Sequence, residues 1–139
     1  MIRSAGSAPN SQRTVLVHGD FKAGNILLDE DDQVVLLLDW ELAHLGDPLD
    51  DIGWITQPLR TREHLIDGAW ERPQLFERYA YRTGIDVNLE SVRWWNTMAC
   101  FKTAVMQVTG LASYLDDRTE TMYRLANGSV LAALDLIES

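Results

Sequence analysis

The first third of the chain contains three short apolar runs separated by polar segments. Val15–Val17, Ile26–Leu28 and residues 34–38 are rich in valine, isoleucine and leucine, as is typical of strands. The connection between the second and third runs, residues 29–33, is short and strongly polar. The pattern therefore predicts a β-hairpin built from these two runs.

Residues from 47 onward follow a helical pattern. Asp47 and Pro48 predict a helix over 49–57, because aspartate is a good N-cap and proline suits the first helical position. A second helix is predicted over 73–82, with Gly84 as its left-handed terminator. In a third helix, apolar residues recur four and three positions apart. They are Trp94, Met98, Phe101, Val105, Val108, Ala112 and Leu115. We expect a core helix with one continuous apolar face.

A capping box formed by Asp117 and Glu120 predicts the start of a last helix. Its apolar residues are Met122, Leu125, Leu134 and Ile137. Asn127 and Gly128 have low helix propensity and weaken its middle. The predicted fold is α+β, a short β-hairpin followed by a helical subdomain.

Composition narrows the class of protein. A chain of 139 residues with 46% hydrophobic and 24% charged residues is an ordinary globular domain. Its net charge of -9 argues against a nucleic-acid partner, and no apolar run is long enough to suggest a membrane span. The single cysteine, Cys100, excludes an internal disulfide, and its apolar helical setting predicts burial. Cytoplasmic residence is the default expectation.

The first residues of the chain differ in composition from the rest. Residues 1–13 are polar and rich in small side chains, which predicts a flexible leader. The single folded domain is then expected over residues 14–139.

Candidate chemistry lies at the open end of the predicted hairpin. Asp20 and Asn25 are five positions apart between the first two strands, and Asp39 follows the third. The hairpin would bring Asn25 and Asp39 close together, and Mg²⁺ prefers such oxygen ligands. Asp20 could orient an attacking hydroxyl, since phosphoryl transfer depends mostly on positioning and charge stabilisation. These residues predict half of a phosphoryl-transfer site.

Three motifs in this order resemble the aminoglycoside phosphotransferase and choline kinase group, and within it the phosphotransferases associated with acyl-CoA dehydrogenases. The motifs are His18-Gly-Asp-x4-Asn25, Leu38-Asp39-Trp40-Glu41 and Gly46-Asp47-Pro48-x2-Asp51-Ile52.

The resemblance implies a protein kinase-like large, C-terminal lobe that uses ATP and Mg²⁺. By that pattern Asp20 is the catalytic base, and Asn25 and Asp39 are the magnesium ligands beside the nucleotide. A second set has supporting roles. His18 braces the loop, Asp47 and Asp51 hold the following helix and loop, and Glu41 is a weaker candidate.

The small ATP-binding lobe of such kinases has no counterpart here. Kinases use a glycine-rich cover and a strand lysine to hold the phosphates. The 17 residues before His18 contain no lysine and one glycine, and the two lysines of the chain are Lys22 and Lys102. A truncated chain, a separate polypeptide and a lobe with a binding role are the three explanations, of which truncation is favoured.

Two classes of function follow from these observations. The first is the catalytic lobe of a phosphotransferase acting on a small-molecule hydroxyl, inactive or incomplete in isolation. The second is a non-catalytic binding or assembly module that keeps the kinase-like lobe. Either class predicts an exposed surface and hence a homo-oligomer or a separate small lobe as partner. The acceptor stays open among aminoglycoside, choline-like amine, sugar and hydroxyacyl thioester.

Overall fold

A computed structural model describes residues 8–113 and 119–138, including the side chains of 8–110 and 124–138. Two small antiparallel sheets precede five helices in this part of the chain. The strands are β1 (Val15–Val17), β2 (Ile26–Leu28), β3 (Val34–Leu37) and β4 (His44–Gly46). The helices are α1 (Leu49–Thr56), α2 (Thr61–His64), α3 (Arg72–Thr83), α4 (Leu89–Ser113) and α5 (Thr119–Glu138). The described chain is therefore α+β, as predicted.

The predicted hairpin is confirmed. Strands β2 and β3 pair antiparallel, with Ile26 opposite Leu37. At the tip, the Asp29 carboxylate accepts hydrogen bonds from the backbone N–H groups of Asp31 and Gln33 at 3.0 and 2.9 Å. Such local side-chain bonds favour turns over continued strand. The polar connection thus closes the hairpin by itself.

A second strand pair was not predicted. Strand β1 pairs antiparallel with β4, so that Val17 lies opposite His44. β4 is only three residues long, too short for an alternating pattern to stand out in the sequence. Its pairing places the end of β1 beside the segment that leads into α1, which positions the candidate site.

The core of the described chain forms around α1. Its buried apolar side chains come from α1, α4 and the segment before α4, and side chains of α3 pack against them. The buried members are Leu49, Ile52, Trp54, Ile55, Ile85, Val92 and Ala99. Trp54 is fully buried, and burial of such a side chain contributes roughly 1.5–3 kcal/mol.

Helix α4 approaches α1 closely. The Asn96 side-chain amide donates to the Gly53 carbonyl at 2.7 Å and to the Thr56 hydroxyl at 2.9 Å. A Cβ added at Gly53 would lie 2.4 Å from the Cβ of Trp95. A glycine at position 53 is therefore required for the two helices to lie this close.

The predicted helix ends agree with the structure. Pro48 already has helical dihedrals, and the Asp47 carboxylate accepts a hydrogen bond from the Leu49 N–H at 2.7 Å, so Asp47 acts as the cap. Gly84 ends α3 with φ +66°, as its left-handed role requires. The predicted capping residue Asp117 lies outside the described residues, as do Leu115 and the side chains of Ala112 and Met122.

The predicted apolar face of α4 is wrong as a core face. Its members Met98, Phe101, Val105 and Val108 are exposed, and the buried residues of α4 are Val92, Asn96, Ala99, Cys100, Thr103 and Ala104. Small and polar residues let neighbouring helices approach closely, so these residues are buried between the helices and larger side chains lie outside.

Helix α5 shows the same arrangement. Its buried residues are Ala126, Ser129 and Ala133, whereas Leu125, Leu134 and Ile137 are exposed. Asn127 and Gly128 do not interrupt the helix. We call seven of the exposed apolar side chains of α4 and α5 (Met98, Phe101, Val105, Val108, Leu125, Leu131 and Leu134) the outer face.

The predicted leader is hydrogen-bonded to the segment between α3 and α4. The Gln12 side chain, in the predicted leader, donates to the Asp86 carbonyl at 2.7 Å and accepts from the Asp86 N–H at 3.2 Å.

Among the described residues, no helix combines the length and hydropathy needed to cross a membrane.

Candidate active site

The loop that follows β1 is held by a carboxylate on α1. The backbone N–H groups of His18 and Gly19 donate to the two oxygens of Asp51, at 2.8 and 2.9 Å. Hydrogen bonds to a carboxylate are about twice as strong as those between neutral groups. Asp51 therefore fixes the backbone conformation of the two residues that precede Asp20.

Gly19 has a backbone that other residues rarely adopt. Its φ is +81°, and a Cβ at this position would lie 2.5 Å from the carbonyl oxygen of Leu42. Both the conformation and the space therefore require glycine. This is the physical reason why glycine stands between His18 and Asp20.

The His18 ring joins the loop to the end of β3. The ring is buried; its Nδ1 accepts from the Asp20 N–H at 3.3 Å, and its Nε2 lies 2.9 Å from the Leu38 carbonyl oxygen. Because Nδ1 accepts, Nε2 carries the proton and donates to Leu38. The ring also contacts the Trp40 ring, at 4.6 Å between centroids. His18 thus links Asp20 to the residue that precedes Asp39.

Asp20 is 6% exposed and has one unpartnered oxygen. Its Oδ2 accepts from the Lys22 ammonium at 2.5 Å and from the Asn25 amide at 3.3 Å. Its Oδ1 is buried and has no hydrogen-bond partner among the described residues. Buried polar atoms are nearly always paired, so an orphan oxygen at this position is suited to receive a donor from a ligand.

Asn25 and Asp39 flank the open end of the hairpin. The Leu38 N–H donates to the Asn25 carbonyl at 2.8 Å, which brings the backbones of these segments together. The Asn25 side-chain nitrogen donates to the Asp20 carbonyl at 2.9 Å, so a cation would meet the amide oxygen. Asp39 is exposed and has φ +65°, an uncommon value that is often found at functional sites.

The available donor atoms fit the metal that the resemblance implies. One amide oxygen and one carboxylate fit Mg²⁺, which keeps several waters and takes few protein ligands. No group of three or more histidine, cysteine, aspartate or glutamate residues within the described ranges is placed to hold a metal ion. The residues present therefore fit magnesium beside a phosphate better than a metal held by protein alone.

The remaining predicted residues lie at different distances from this loop. Asp47 caps α1 and does not enter the loop. Glu41 lies in a single 3-10 turn, Trp40–Leu42, with its side chain exposed. The structure thus groups His18, Asp20 and Asn25 with Asp51, and places Asp47 and Glu41 in the segment that supports them.

A second charged cluster lies beside the loop and was missed in the sequence. Asp50 is buried; its carboxylate lies 3.1 Å from His44 Nε2 and 3.7 Å from the Lys102 ammonium. Burial raises the pKa of Asp50 above 3.8, and the charges of Lys102 and His44 act in the opposite direction. No local sequence signal joins residues 50 and 102, because their meeting depends on how α4 packs against α1.

The segment after α1 approaches the loop from another side. The rings of Phe21 and His64 are stacked, with centroids 6.4 Å apart. Burial lowers the pKa of His64 below its usual value of 6.5. The residue that follows Asp20 therefore contacts α2, a helix that the sequence analysis did not predict.

A buried aspartate with an orphan oxygen, an asparagine five residues later and an aspartate beyond a hairpin follow the order of the residues used in phosphoryl transfer. Comparison with known proteins agrees with that class. A model of the phosphotransferase enzyme family matches residues 4–95, well over half of the chain. The chain belongs to this family.

The curated relatives are much longer proteins. Acyl-CoA dehydrogenase family member 11 of the rat (Rattus norvegicus) is 32% identical over 141 residues, covering 91% of this chain and 18% of that protein. The mouse (Mus musculus) protein of the same name is 32% identical over 126 residues, covering 81% and 16%. Mouse acyl-CoA dehydrogenase family member 10 is 49% identical over 47 residues, covering 33% and 4%. No solved structure matches the chain. The chain thus spans less than a fifth of these relatives.

Proposed function

We propose that this chain is the C-terminal lobe of a kinase-like phosphotransferase that transfers a phosphoryl group from ATP to the hydroxyl of a small molecule. The observation that carries the proposal is the orphan Oδ1 of Asp20. A carboxylate oxygen is an acceptor only, so its natural partner is a hydroxyl that donates. Asp20 would orient that hydroxyl and accept its proton as the bond to phosphorus forms.

The neighbouring residues would serve the nucleotide side. Asn25 and Asp39 would hold Mg²⁺, which would stabilise the negative charge of the phosphate oxygens when it is bound. Lys22 contacts Asp20 at 2.5 Å and would turn toward the transferred phosphoryl group. His18 and Asp51 hold the backbone on either side of Gly19, so that Asp20 needs little reorganisation when the substrate arrives.

The hairpin supports the view that further polypeptide completes the site. Consecutive residues Val34, Val35 and Leu36 are all exposed, as are Leu27 and Leu28 on the paired strand. Successive strand residues point to opposite faces, so both faces of the hairpin are bare. A two-stranded hairpin is marginally stable on its own in water. We propose that a nucleotide-binding lobe covers it in the working enzyme.

The proposal is tested by calorimetric titration of the chain with ATP and Mg²⁺. We expect binding in the wild type and at least a tenfold weaker affinity in Asp39→Ala, because a hydrogen-bonded or coordinated charge is worth more than 1.4 kcal/mol. Glu30→Ala is the matched control, since it removes one negative charge from the exposed hairpin tip. Equal affinity in Asp39→Ala and wild type would contradict the role of Asp39.

A binding or assembly module is the second candidate. The observation that favours it is the set of bare apolar side chains on the hairpin and on the outer face, since large exposed apolar patches mark interaction sites. The same titration separates the two proposals. A wild-type chain that shows no affinity for ATP and Mg²⁺, yet associates with protein, would support the module. We also keep cytoplasmic residence as a proposal.

A further inference from the structure

Helix α4 carries a lysine that reaches the loop before Asp20. The Lys102 ammonium lies 3.5 Å from the Gly19 carbonyl oxygen and 3.7 Å from a carboxylate oxygen of Asp50. It also lies 5.2 Å from the centre of the Trp54 ring. The Trp54 side chain is fully buried, so the ring forms a fixed support beneath the cation.

The two carboxylates at the start of α1 act on this loop through different groups. Asp51 accepts from the N–H groups of His18 and Gly19. Asp50 holds the Lys102 ammonium, which in turn faces the Gly19 carbonyl. The peptide that joins Gly19 to Asp20 is therefore bound at both ends, by Lys102 at its oxygen and by His18 Nδ1 at its N–H.

We propose that Lys102 is a positioning residue, whose ammonium holds the Gly19 carbonyl and thereby fixes the backbone from which the Asp20 carboxylate projects. A separation of 3.5 Å is at the long end of hydrogen bonding, so the attraction is largely that of a cation for a carbonyl dipole. It acts beside the buried Asp50 carboxylate, where the local dielectric is lower than in bulk water.

Asp50 has a supporting part in this arrangement. A buried carboxylate without a partner is strongly destabilising, and the Lys102 ammonium and the His44 ring are the groups that face it. The simpler view is that Lys102 serves only to neutralise Asp50. The two views differ in what happens to the loop when Asp50 has no charge, which makes them separable.

The test is native-state hydrogen exchange, followed by NMR at the amides of His18, Gly19 and Asp20. In Lys102→Met we expect these amides to exchange about tenfold faster than in wild type, relative to the amides of α3, because a charge-assisted contact is lost. Lys102→Arg should restore much of the protection, since it keeps a cation at that place. Unchanged relative exchange in Lys102→Met would overturn the proposal.

Asp50→Asn combined with Lys102→Met separates positioning from neutralisation. This pair leaves no uncompensated buried charge, so it also serves where Lys102→Met alone does not fold. We expect the loop amides to exchange as fast as in Lys102→Met. Recovery of wild-type exchange in the double variant would show that Lys102 acts only on Asp50.

Arg60→Met is the matched control. The Arg60 guanidinium lies 4.7 Å from the centre of the Trp54 ring and pairs with Glu63, so it is a second cation on the same support. The observed contacts of its side chain do not include the loop, and exchange at Gly19 should stay at the wild-type rate. Faster exchange in Arg60→Met would show that the effect arises from Trp54 and not from Lys102.

The catalytic meaning of this inference rests on the proposed function, whereas the exchange measurement does not. A chain whose affinity for ATP and Mg²⁺ is the same in wild type and Asp39→Ala would contradict the proposed function and would leave the exchange result intact. Normal nucleotide binding with unchanged loop exchange would contradict the inference alone. The two failures are therefore distinguishable.

Discussion

Single residues define the candidate site through backbone constraints. Gly19 and Asp39 both have positive φ, +81° and +65°. Gly19 adopts that value readily because it has no Cβ, which would also meet Leu42, and Asp39 takes it after β3. Two turns in the left-handed region bring the ends of separate segments together, which straight strands could not do. The motif residues of the sequence are thus explained one position at a time.

The lone cysteine gives a prediction at this scale. Cys100 is fully buried, and burial raises the pKa of its thiol from 9.0 to about 11. We expect no reaction of the folded chain with an aromatic disulfide reagent at pH 8, because the thiolate is the nucleophile. In denaturant the same reagent should modify one thiol per chain.

The same pKa has a consequence for stability. A raised pKa in the folded state means that the fold favours the protonated thiol. The contribution of Cys100 to the free energy of unfolding is therefore fully present below pH 9 and is lost as the pH rises through about 11.

Rapid modification of the folded chain at pH 8, at the rate of a free thiol, would contradict the burial of Cys100.

The sequence predicts where helices begin and end, but it does not predict which side of each helix is buried. The start of α1 and the end of α3 follow from Asp47, Pro48 and Gly84, whose effects are local. The side that each helix buries is another matter, because a three-and-four spacing indicates an apolar stripe but not its partner. In α4 the stripe with the largest side chains is exposed, and the interface uses Ala99, Cys100 and Thr103.

Two glycines in helices test this account of packing. Gly53→Ala should lower the free energy of unfolding by about 1–3 kcal/mol, because the new Cβ meets Cβ and backbone of Trp95 and forces a shift. Gly128→Ala is the matched change, since nothing lies within 4 Å of its added Cβ. It should raise that free energy by about 0.5–1 kcal/mol through helix propensity.

Urea unfolding followed by circular dichroism measures both changes. Opposite signs for the two variants are the expected result. If Gly53→Ala stabilised the chain as Gly128→Ala does, the close approach of α1 and α4 would be wrong.

At the scale of the whole molecule, bare apolar surface dominates. Phe101, on the outer face, is 56% exposed, and the hairpin is uncovered on both faces. Charge opposes association, since the net charge is -9, but exposed apolar side chains on neighbouring elements favour it, because large apolar patches mark interaction surfaces. Self-association of the isolated chain therefore stays a prediction, and the outer face is the surface through which we expect it.

Sedimentation velocity over a range of concentrations tests this prediction. We expect the weight-average sedimentation coefficient of the wild type to rise with concentration, and Phe101→Lys to stay close to the monomer. Tyr81→Lys is the control, because Tyr81 is 80% exposed and lies on α3, not on the two helices that carry the outer face. Both variants change the net charge equally and make it less negative, so weaker association in Phe101→Lys cannot result from charge repulsion. A wild-type chain that is monomeric at every concentration would rule out the outer face as an interface.

The sequence by itself determined the hairpin, the caps of α1 and α3 and the candidate residues Asp20, Asn25 and Asp39. Each of these depends on a few neighbouring residues, through turn hydrogen bonds, permitted φ values or fixed spacing along a loop. The pairing of β1 with β4, the burial of small residues on α4 and the meeting of Lys102 with Asp50 were decided by the tertiary structure alone. They join residues far apart in sequence, and which surfaces meet is settled by close packing, about which local patterns carry little information.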